Sequence, residues 1–551
     1  MSYYSNYSMK NVFFDIISRR KTQLFFLFYI IMFLPLLTLL AENLSGTEII
    51  LHLVVNLVLF ASLGILSVFL SSKTEKIIYS ILFILTYLPF AIFTSYLLLA
   101  RVLLRKNSII SLFETNPQES KEFMMHNFNP WIIVACVAYI FVCFLIIWMM
   151  RKNERLKVKD HRGVFFTTLV VALAILLIPI LSHNVYFANF YSQFIRYKIT
   201  LCSEEKGIAQ RQSQVYQVSN LHTDAVPKTI VVVIGESLSR HHMSLYGYIR
   251  DTNPNLSKLG DSLFVYQDVV SPQVHTIPVM RSVLTFYERD YPKHITEKPS
   301  LFELFNRAGY ETYFITNQTF GGELGTSYDA LLEESQHVYN LSVEKLQDEI
   351  VLPTLQSIVD KPTNKNKLVL IHLVGNHMAY EFRYTPSFKV FDNEQDHKID
   401  KTGFRNSQDI RTIDKYDNSV LYNDFVLAEI IKVLKQDKDS KMALVYFSDH
   451  GEEVFDYRKF SGHAYEKVSK YMCEVPFLVW LSPAFLQHRT DILLDTKRPY
   501  STADFMFGIS NIAGLEYLDY DSTRSVFSKD YTPSERFVGD YAYDEVKEFT
   551  P

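Results

Sequence analysis

Five apolar runs, at roughly 23–40, 49–70, 77–100, 131–150 and 164–183, fill most of the first third of this chain, and none carries Lys or Arg inside it. Each is near the ~20 residues needed to cross a bilayer core. A segment immersed in hydrocarbon can satisfy its own backbone only as a helix, so this part of the chain is expected to form five transmembrane helices. The runs also account for a mean hydropathy slightly above zero in a chain that is 21% charged. A cleavable signal peptide would explain the first run alone, but a long flank precedes that run and no small-residue cleavage site follows Leu40.

Loop charges orient the bundle. Arg19, Arg20 and Lys21 precede the first run, Lys73 and Lys76 occupy the second connection, and Arg151, Lys152, Arg155, Lys157, Lys159 and Arg162 occupy the fourth. Basic loops stay in the cytoplasm. The 41–48 connection has no basic residue, and 101–130 is mixed in sign. With five spans and the N-terminus inside, everything after about residue 184 lies outside the cytoplasmic membrane, where ATP is not the expected substrate. Residues 1–190 are therefore read as a transmembrane domain, 191–228 as a linker whose 202–228 portion is polar, and 229–551 as one exported domain.

That domain alternates strand-like runs with helical stretches, the pattern of an α/β fold with a mostly parallel central sheet and helices on both faces. Buried strands are expected at 229–235, 312–317, 367–375, 441–448 and 475–482, with helices in SLFELFNRAG and YNDFVLAEIIKVLKQ. A segment rich in Asp, Asn, Lys and Ser at 386–418 reads as a surface excursion near the site. Cys136 and Cys143 fall in the fourth apolar run and read as small hydrophobes, whereas Cys202 and Cys473 lie in the exported part, where a disulfide between them is open.

The chemistry is concentrated at two strand ends. TIVVVIG ends at Glu236, and KMALVYFS ends at Asp449 and His450. Carboxyl ends of parallel strands open onto one crevice, so residues distant in sequence can meet there. Two carboxylates and an imidazole suit zinc or a similar divalent ion, which commonly serves chemistry on phosphate or sulfate esters. A nearby hydroxyl is a candidate nucleophile. Thr276, where the polar loop SPQVH turns into an apolar stretch, fits that role, with Pro278 suited to a first helical turn. Spacing alone favours a simpler role for Thr276 as a helix cap, and Ser237 is equally ambiguous.

The ordered strings VVVIGESLSRHHMSLYGYIRDTNPNL, VHTIPVM, HLVGNHMAY, YDNSVLYND and FSDHGEE…SGHAY, placed after five apolar runs, resemble the phosphoethanolamine transferases of Gram-negative envelopes, membrane members of the alkaline phosphatase and sulfatase superfamily. The likeness covers essentially the whole chain. It implies an inner-membrane protein with a periplasmic sulfatase-like domain and Zn2+ bound by Glu236, Thr276, Asp449 and His450. Thr276 would take phosphoethanolamine from phosphatidylethanolamine, release diacylglycerol, and pass the group to a lipopolysaccharide acceptor. The MSLYGY and DHGEE strings favour the core heptose over lipid A or Kdo. His377 and His463 match family histidines beside the phosphoryl group and are expected to move protons. In SLFETNPQESKEF, Thr115 and Glu119 match residues that hold the ethanolamine, although Asn116, Pro117 and Glu119 also fit a local helix cap. Ser111 stands where the family often has Asn.

His241, His242 and His275 are expected to be structural or solvent-facing, and His372, inside an apolar strand, to be packed in the core. A glycerol-phosphate transferase of the lipoteichoic acid synthase type and a simple phosphodiesterase or sulfatase-type hydrolase are the rival readings. No nucleic-acid partner is expected, and the chain is read as a monomer.

Overall fold

The computed structural model describes residues 21–41, 44–67, 72–115, 121, 130–149, 183–220, 227–289, 294–318, 327–342, 347–400, 402–436 and 439–548. They form two compact units, one within Met1–Ile110 and Asn127–Lys198, the other within Ser111–His126 and Ile199–Pro551.

The first unit is helical. Helices α1 (Lys21–Leu37), α2 (Gly46–Ser67), α3 (Ser72–Ala100) and α5 (Pro130–Met149) include four spans long and apolar enough to cross a membrane among the described residues, and the short α4 (Lys106–Glu114) has its second half, from Ser111, in the other unit. The fifth expected run, at 164–183, falls almost wholly outside them. Large apolar side chains such as Ile84 and Phe144 are exposed, as suits a surface solvated by lipid, and Trp131 and Trp148 stand exposed at the two ends of α5, where an interfacial belt would lie. Polar side chains within the bundle turn inward: Thr86 donates to the Leu82 carbonyl on its own helix and meets the Tyr139 hydroxyl at 3.0 Å.

In the second unit a seven-stranded sheet is built from β1 (Lys228–Gly235), β2 (Leu263–Tyr266), β3 (Glu311–Thr316), β4 (His337–Asn340), β5 (Lys367–His372), β6 (Lys441–Ser448) and β7 (Phe477–Leu481). Its order is β2-β7-β6-β1-β5-β3-β4. The sheet is mixed rather than parallel throughout, because β7 runs antiparallel to both its neighbours. The central strands read as unbroken apolar runs because both faces are covered: Ile230, Val232 and Ile234 of β1 enter one core, and Val231 and Val233 enter the other. One core takes α7 (Thr276–Val283) and α8 (Leu301–Arg307), and the other takes α9 (Val351–Asp360) and α10 (Ser407–Leu434).

All five expected strands are present, whereas β2 and β4 were not foreseen because four residues are too few to show a period. The supposed surface excursion at 386–418 includes the first three turns of α10, which starts at a capping box between Asn406 and Asp409. Those turns look like a loop in sequence because Asp409, Asp414, Asp417 and Asn418 are polar, yet all four are buried. The expected linker at 191–228 is structured: α6 (Tyr186–Gln212) starts before it and occupies its first part, and Val218–Asn220 pairs antiparallel with Leu515–Tyr517. Cys202 and Cys473 are free thiols, the first exposed and the second buried.

Candidate metal centre

The strand register assembles the site. Gly235 of β1 pairs with Ser448 of β6, so the next residue on each strand, Glu236 and Asp449, emerge side by side. Asp449 is followed by His450, and ligand atoms of these three buried residues all lie within 4.8 Å of one another. The turn after Glu236 is strained. Ser237 adopts a left-handed φ of 57°, which lets its N–H donate to Asp449 Oδ1 (3.1 Å) and its hydroxyl to Glu236 Oε1 (3.0 Å). Its carbonyl accepts from the Tyr416 hydroxyl of α10 at 2.6 Å. Strain held by surrounding bonds in this way is common at functional sites.

Thr276 is the first residue of α7, with His275 at the cap position, so the capping role does not fall to it. Its hydroxyl lies 3.1 Å from each Glu236 carboxylate oxygen and 3.5 Å from His450 Nε2. His450 Nδ1 donates to the Gly451 carbonyl at 2.9 Å, which turns Nε2 toward the carboxylates. Burial raises the Asp449 carboxyl and the Glu236 charge raises it further. Burial also works against charge on Glu236, but the hydrogen bond and charge of His450 outweigh it and hold that carboxyl well below its usual range. Asp449 Oδ2 is buried without a hydrogen-bond partner. Two buried carboxylates, one imidazole nitrogen, an unsatisfied carboxylate oxygen and a hydroxyl within reach fit a divalent cation such as zinc.

Histidines ring this cluster. His463 Nδ1 lies 3.1 Å from Glu452 Oε2, and its ring centroid is 4.3 Å from that of His450. Glu452 is fully buried and also accepts from the Tyr380 hydroxyl at 3.2 Å. His377 is half-buried after β5, where its charge favours the ionised forms of both Glu236 and Glu452. His275, expected to be structural or solvent-facing, packs between His463 (4.8 Å) and Tyr465 (4.3 Å), with its Nε2 buried and unpartnered.

Residues 228–515 match the sulfatase family. The phosphoethanolamine transferase EptC of Escherichia coli K12 is 31% identical over 515 residues, 87% of each chain. The chain belongs to the phosphoethanolamine transferases. The solved periplasmic domain of Escherichia coli EptC in complex with Zn is 33% identical to this transferase, covering 60% of this chain and 96% of that one at a TM-score of 0.56. The integral membrane lipooligosaccharide phosphoethanolamine transferase A of Neisseria meningitidis shares the fold at 18% identity, covering 91% and 96% at a TM-score of 0.62.

Several residues of this phosphoethanolamine transferase site escaped sequence reading. Gln318 donates through Nε2 to Glu236 Oε2 (2.9 Å) and to the Leu373 carbonyl (2.8 Å). Its position two residues past β3, at the same sheet edge as Glu236, was the available signal. His372 is buried as expected but is more than core packing: its Nδ1 meets the Tyr328 hydroxyl at 2.9 Å and its Nε2 faces Gln318 at 3.2 Å. Burial lowers it to about 4, which keeps it neutral. Of the expected ethanolamine residues, Thr115 donates to the Ser111 carbonyl of its own helix (2.8 Å), and Glu119 lies outside the described residues. The adjoining Glu114 is the notable group of that helix end. Burial raises its carboxyl to about 8 against the pull of Arg281 on α7.

Proposed function

We propose that this protein transfers phosphoethanolamine from phosphatidylethanolamine to a lipopolysaccharide acceptor, with the core heptose favoured, and releases diacylglycerol. The observation that carries the reading is the Thr276 hydroxyl, 3.1 Å from both oxygens of Glu236 and within reach of His450 inside a buried metal-type cluster. The relatedness to EptC over 87% of both chains supports phosphoethanolamine as the transferred group. The four apolar spans among the described residues support an inner-membrane protein, and the fifth apolar run at 164–183, taken with the basic flanks, supports a periplasmic catalytic unit.

Glu236, Asp449 and His450, with Thr276, would hold zinc. Bound there, the ion supplies Lewis-acid charge that favours the deprotonated hydroxyl and neutralises phosphoryl oxygen. Glu236 accepts the Thr276 hydrogen bond and so orients the oxygen for attack on phosphorus. Attack forms a Thr276 Oγ1–P bond and breaks the bond from phosphorus to the glycerol oxygen, which leaves with a proton as diacylglycerol. An acceptor oxygen then attacks the phosphothreonine, losing its proton and restoring the hydroxyl, so ping-pong kinetics are expected. With Nδ1–H directed at Glu452, His463 presents Nε2 for one of these proton transfers, and His377 is assigned the other.

The test is diacylglycerol release by purified full-length protein given phosphatidylethanolamine or phosphatidylglycerol separately. Release from the first alone is expected, and Thr276→Ala should abolish it without changing the melting temperature by more than a few degrees. Release from phosphatidylglycerol alone would replace this reading with glycerol-phosphate transfer. Free phosphoethanolamine as the sole product would make the protein a hydrolase. Mass spectrometry of lipopolysaccharide from cells with and without the protein locates the acceptor.

A further inference from the structure

A second buried charge cluster lies behind the site, built from residues to which the transfer chemistry gives no role. His242 is 2% exposed, and its two ring nitrogens each face a carboxylate: Nδ1 lies 2.7 Å from Asp417 Oδ1 and Nε2 lies 3.1 Å from Asp456 Oδ1. A neutral imidazole has one N–H, so this geometry requires the doubly protonated ring. Burial opposes that charge, but Asp456 and Asp417 outweigh it and hold the group at about 10. The ring also packs against Tyr248 and Tyr416, each at 4.8 Å. Asp417 on α10 is fixed in turn by the fully buried Arg250 (2.7 Å) and the Tyr248 hydroxyl (2.9 Å).

The two carboxylates belong to different structures. Asp417 is part of α10, whose preceding residue Tyr416 braces the strained turn at Ser237 beside Glu236. Asp456 sits at the tip of a hairpin in which Glu453–Val454 pairs with Ser461–Gly462, and His463 follows its second strand directly. Phe455 at that tip has a left-handed φ of 56°, unfavourable for an aromatic residue unless its surroundings impose it. Asp456 Oδ2 accepts from the Val454 N–H (2.7 Å) while Oδ1 faces His242, so one side chain both closes the tip and moors it to the core. Arg405 donates to the Phe455 and Asp456 carbonyls.

We infer that His242 is a positioning residue of the transfer reaction, clamping the hairpin through Asp456 so that His463 is held against the metal cluster. The inference rests on the phosphoethanolamine transferase reading, and it places no substrate contact on His242 itself. The link is mechanical. Removing the clamp releases the hairpin tip and lets His463 drift from His450, while Glu236, Asp449 and His450, held by the sheet register and the Ser237 turn, stay together.

A double-mutant cycle on the full-length protein tests this. His242→Asn is expected to lower kcat for diacylglycerol release about 10- to 100-fold, the scale of a misplacement near 1 Å, with KM and zinc content little changed. In a His463→Ala background the same substitution should change kcat by less than about twofold, since its route to the reaction is gone. Where His242→Asn fails to accumulate, Asp456→Asn, which keeps a hydrogen-bonding side chain at the tip, enters the same cycle with the same expectation. Losses that multiply in the double variant, or a lowered melting temperature with unchanged kcat, would overturn the positioning role and leave the transfer reading intact. A wild-type protein inert toward phosphatidylethanolamine would overturn both.

Discussion

Gly375 is the position where one methyl group should do the most damage. It follows β5 with a left-handed φ of 54°, and a Cβ built there would lie 2.7 Å from the Glu236 nitrogen and 2.8 Å from the Glu236 carbonyl oxygen. Reaching an ordinary contact near 3.4 Å requires a retreat of about 0.7 Å by backbone that carries Glu236, a proposed metal ligand. Neither side can give easily. The Gly375 N–H donates to Asp348 Oδ2 at 2.7 Å, and the Asn376 N–H donates to the Glu236 carbonyl at 2.8 Å. A left-handed residue with a Cβ costs about 1–2 kcal/mol and forced overpacking about 1–3 kcal/mol, so Gly375→Ala is expected to destabilise by about 2–5 kcal/mol. Displacing Glu236 should also weaken zinc binding about 10- to 100-fold. Melting curves of full-length protein in detergent, chelator competition and diacylglycerol release measure the three effects. Gly403→Ala is the control, because nothing lies within 4 Å of its Cβ position and its φ is ordinary, so its effect should stay within about 0.5 kcal/mol. A Gly375→Ala protein with wild-type melting and zinc affinity would refute the close approach on which the calculation rests.

Gln318→Ala removes a donor from a buried Glu236 oxygen and should cost about 1–3 kcal/mol, with weaker zinc binding in the same chelator assay and no loss of the Thr276 nucleophile. Zinc at about 100 times its dissociation constant should add about 2.7 kcal/mol of stability, read as a rise in melting temperature that Asp449→Asn abolishes. His242, faced by Asp417 and Asp456, packed by Tyr248 and Tyr416, and sharing Asp417 with Arg250, is raised from 6.5 to about 10. A raised group contributes its stability below its unfolded value, so that contribution should be full below pH 6.5 and disappear as the pH climbs toward 10. Thermal melts across that window should show a shallower decline in Asp456→Asn than in the wild type, and parallel slopes would count against the charged clamp.

Much of the site could be seen in the chain because metal-ligand residue types stand at the ends of apolar runs. Strands covered on both faces need side chains such as Ile230, Val231 and Val232 in succession, and that demand is visible in composition. Glu236, Asp449 and His450 stand out by contrast. Thr276 is not separable from a helix cap by spacing; the resemblance singles it out, and its distance to Glu236 supports the role proposed for it. The polar start of α10 reads as a surface loop in sequence, because a pattern of apolar residues carries no sign that Asp414 and Asp417 will be buried against Arg250.

The residues themselves therefore determined which segments are apolar enough to enter a membrane, which strands fill the centre of the sheet, and which side chains have metal-binding chemistry. Tertiary structure alone decided that Gly235 pairs with Ser448 and so brings Glu236 beside Asp449, that Gln318 and Glu452 support the cluster, and that His242 reaches the hairpin of His463. The division has a physical cause. Burial is encoded locally, residue by residue, in hydrophobicity and its period, whereas the partners of a buried polar group are set by register and by contacts between distant segments, such as the 212 residues that separate Ser237 from Asp449, which no local pattern records.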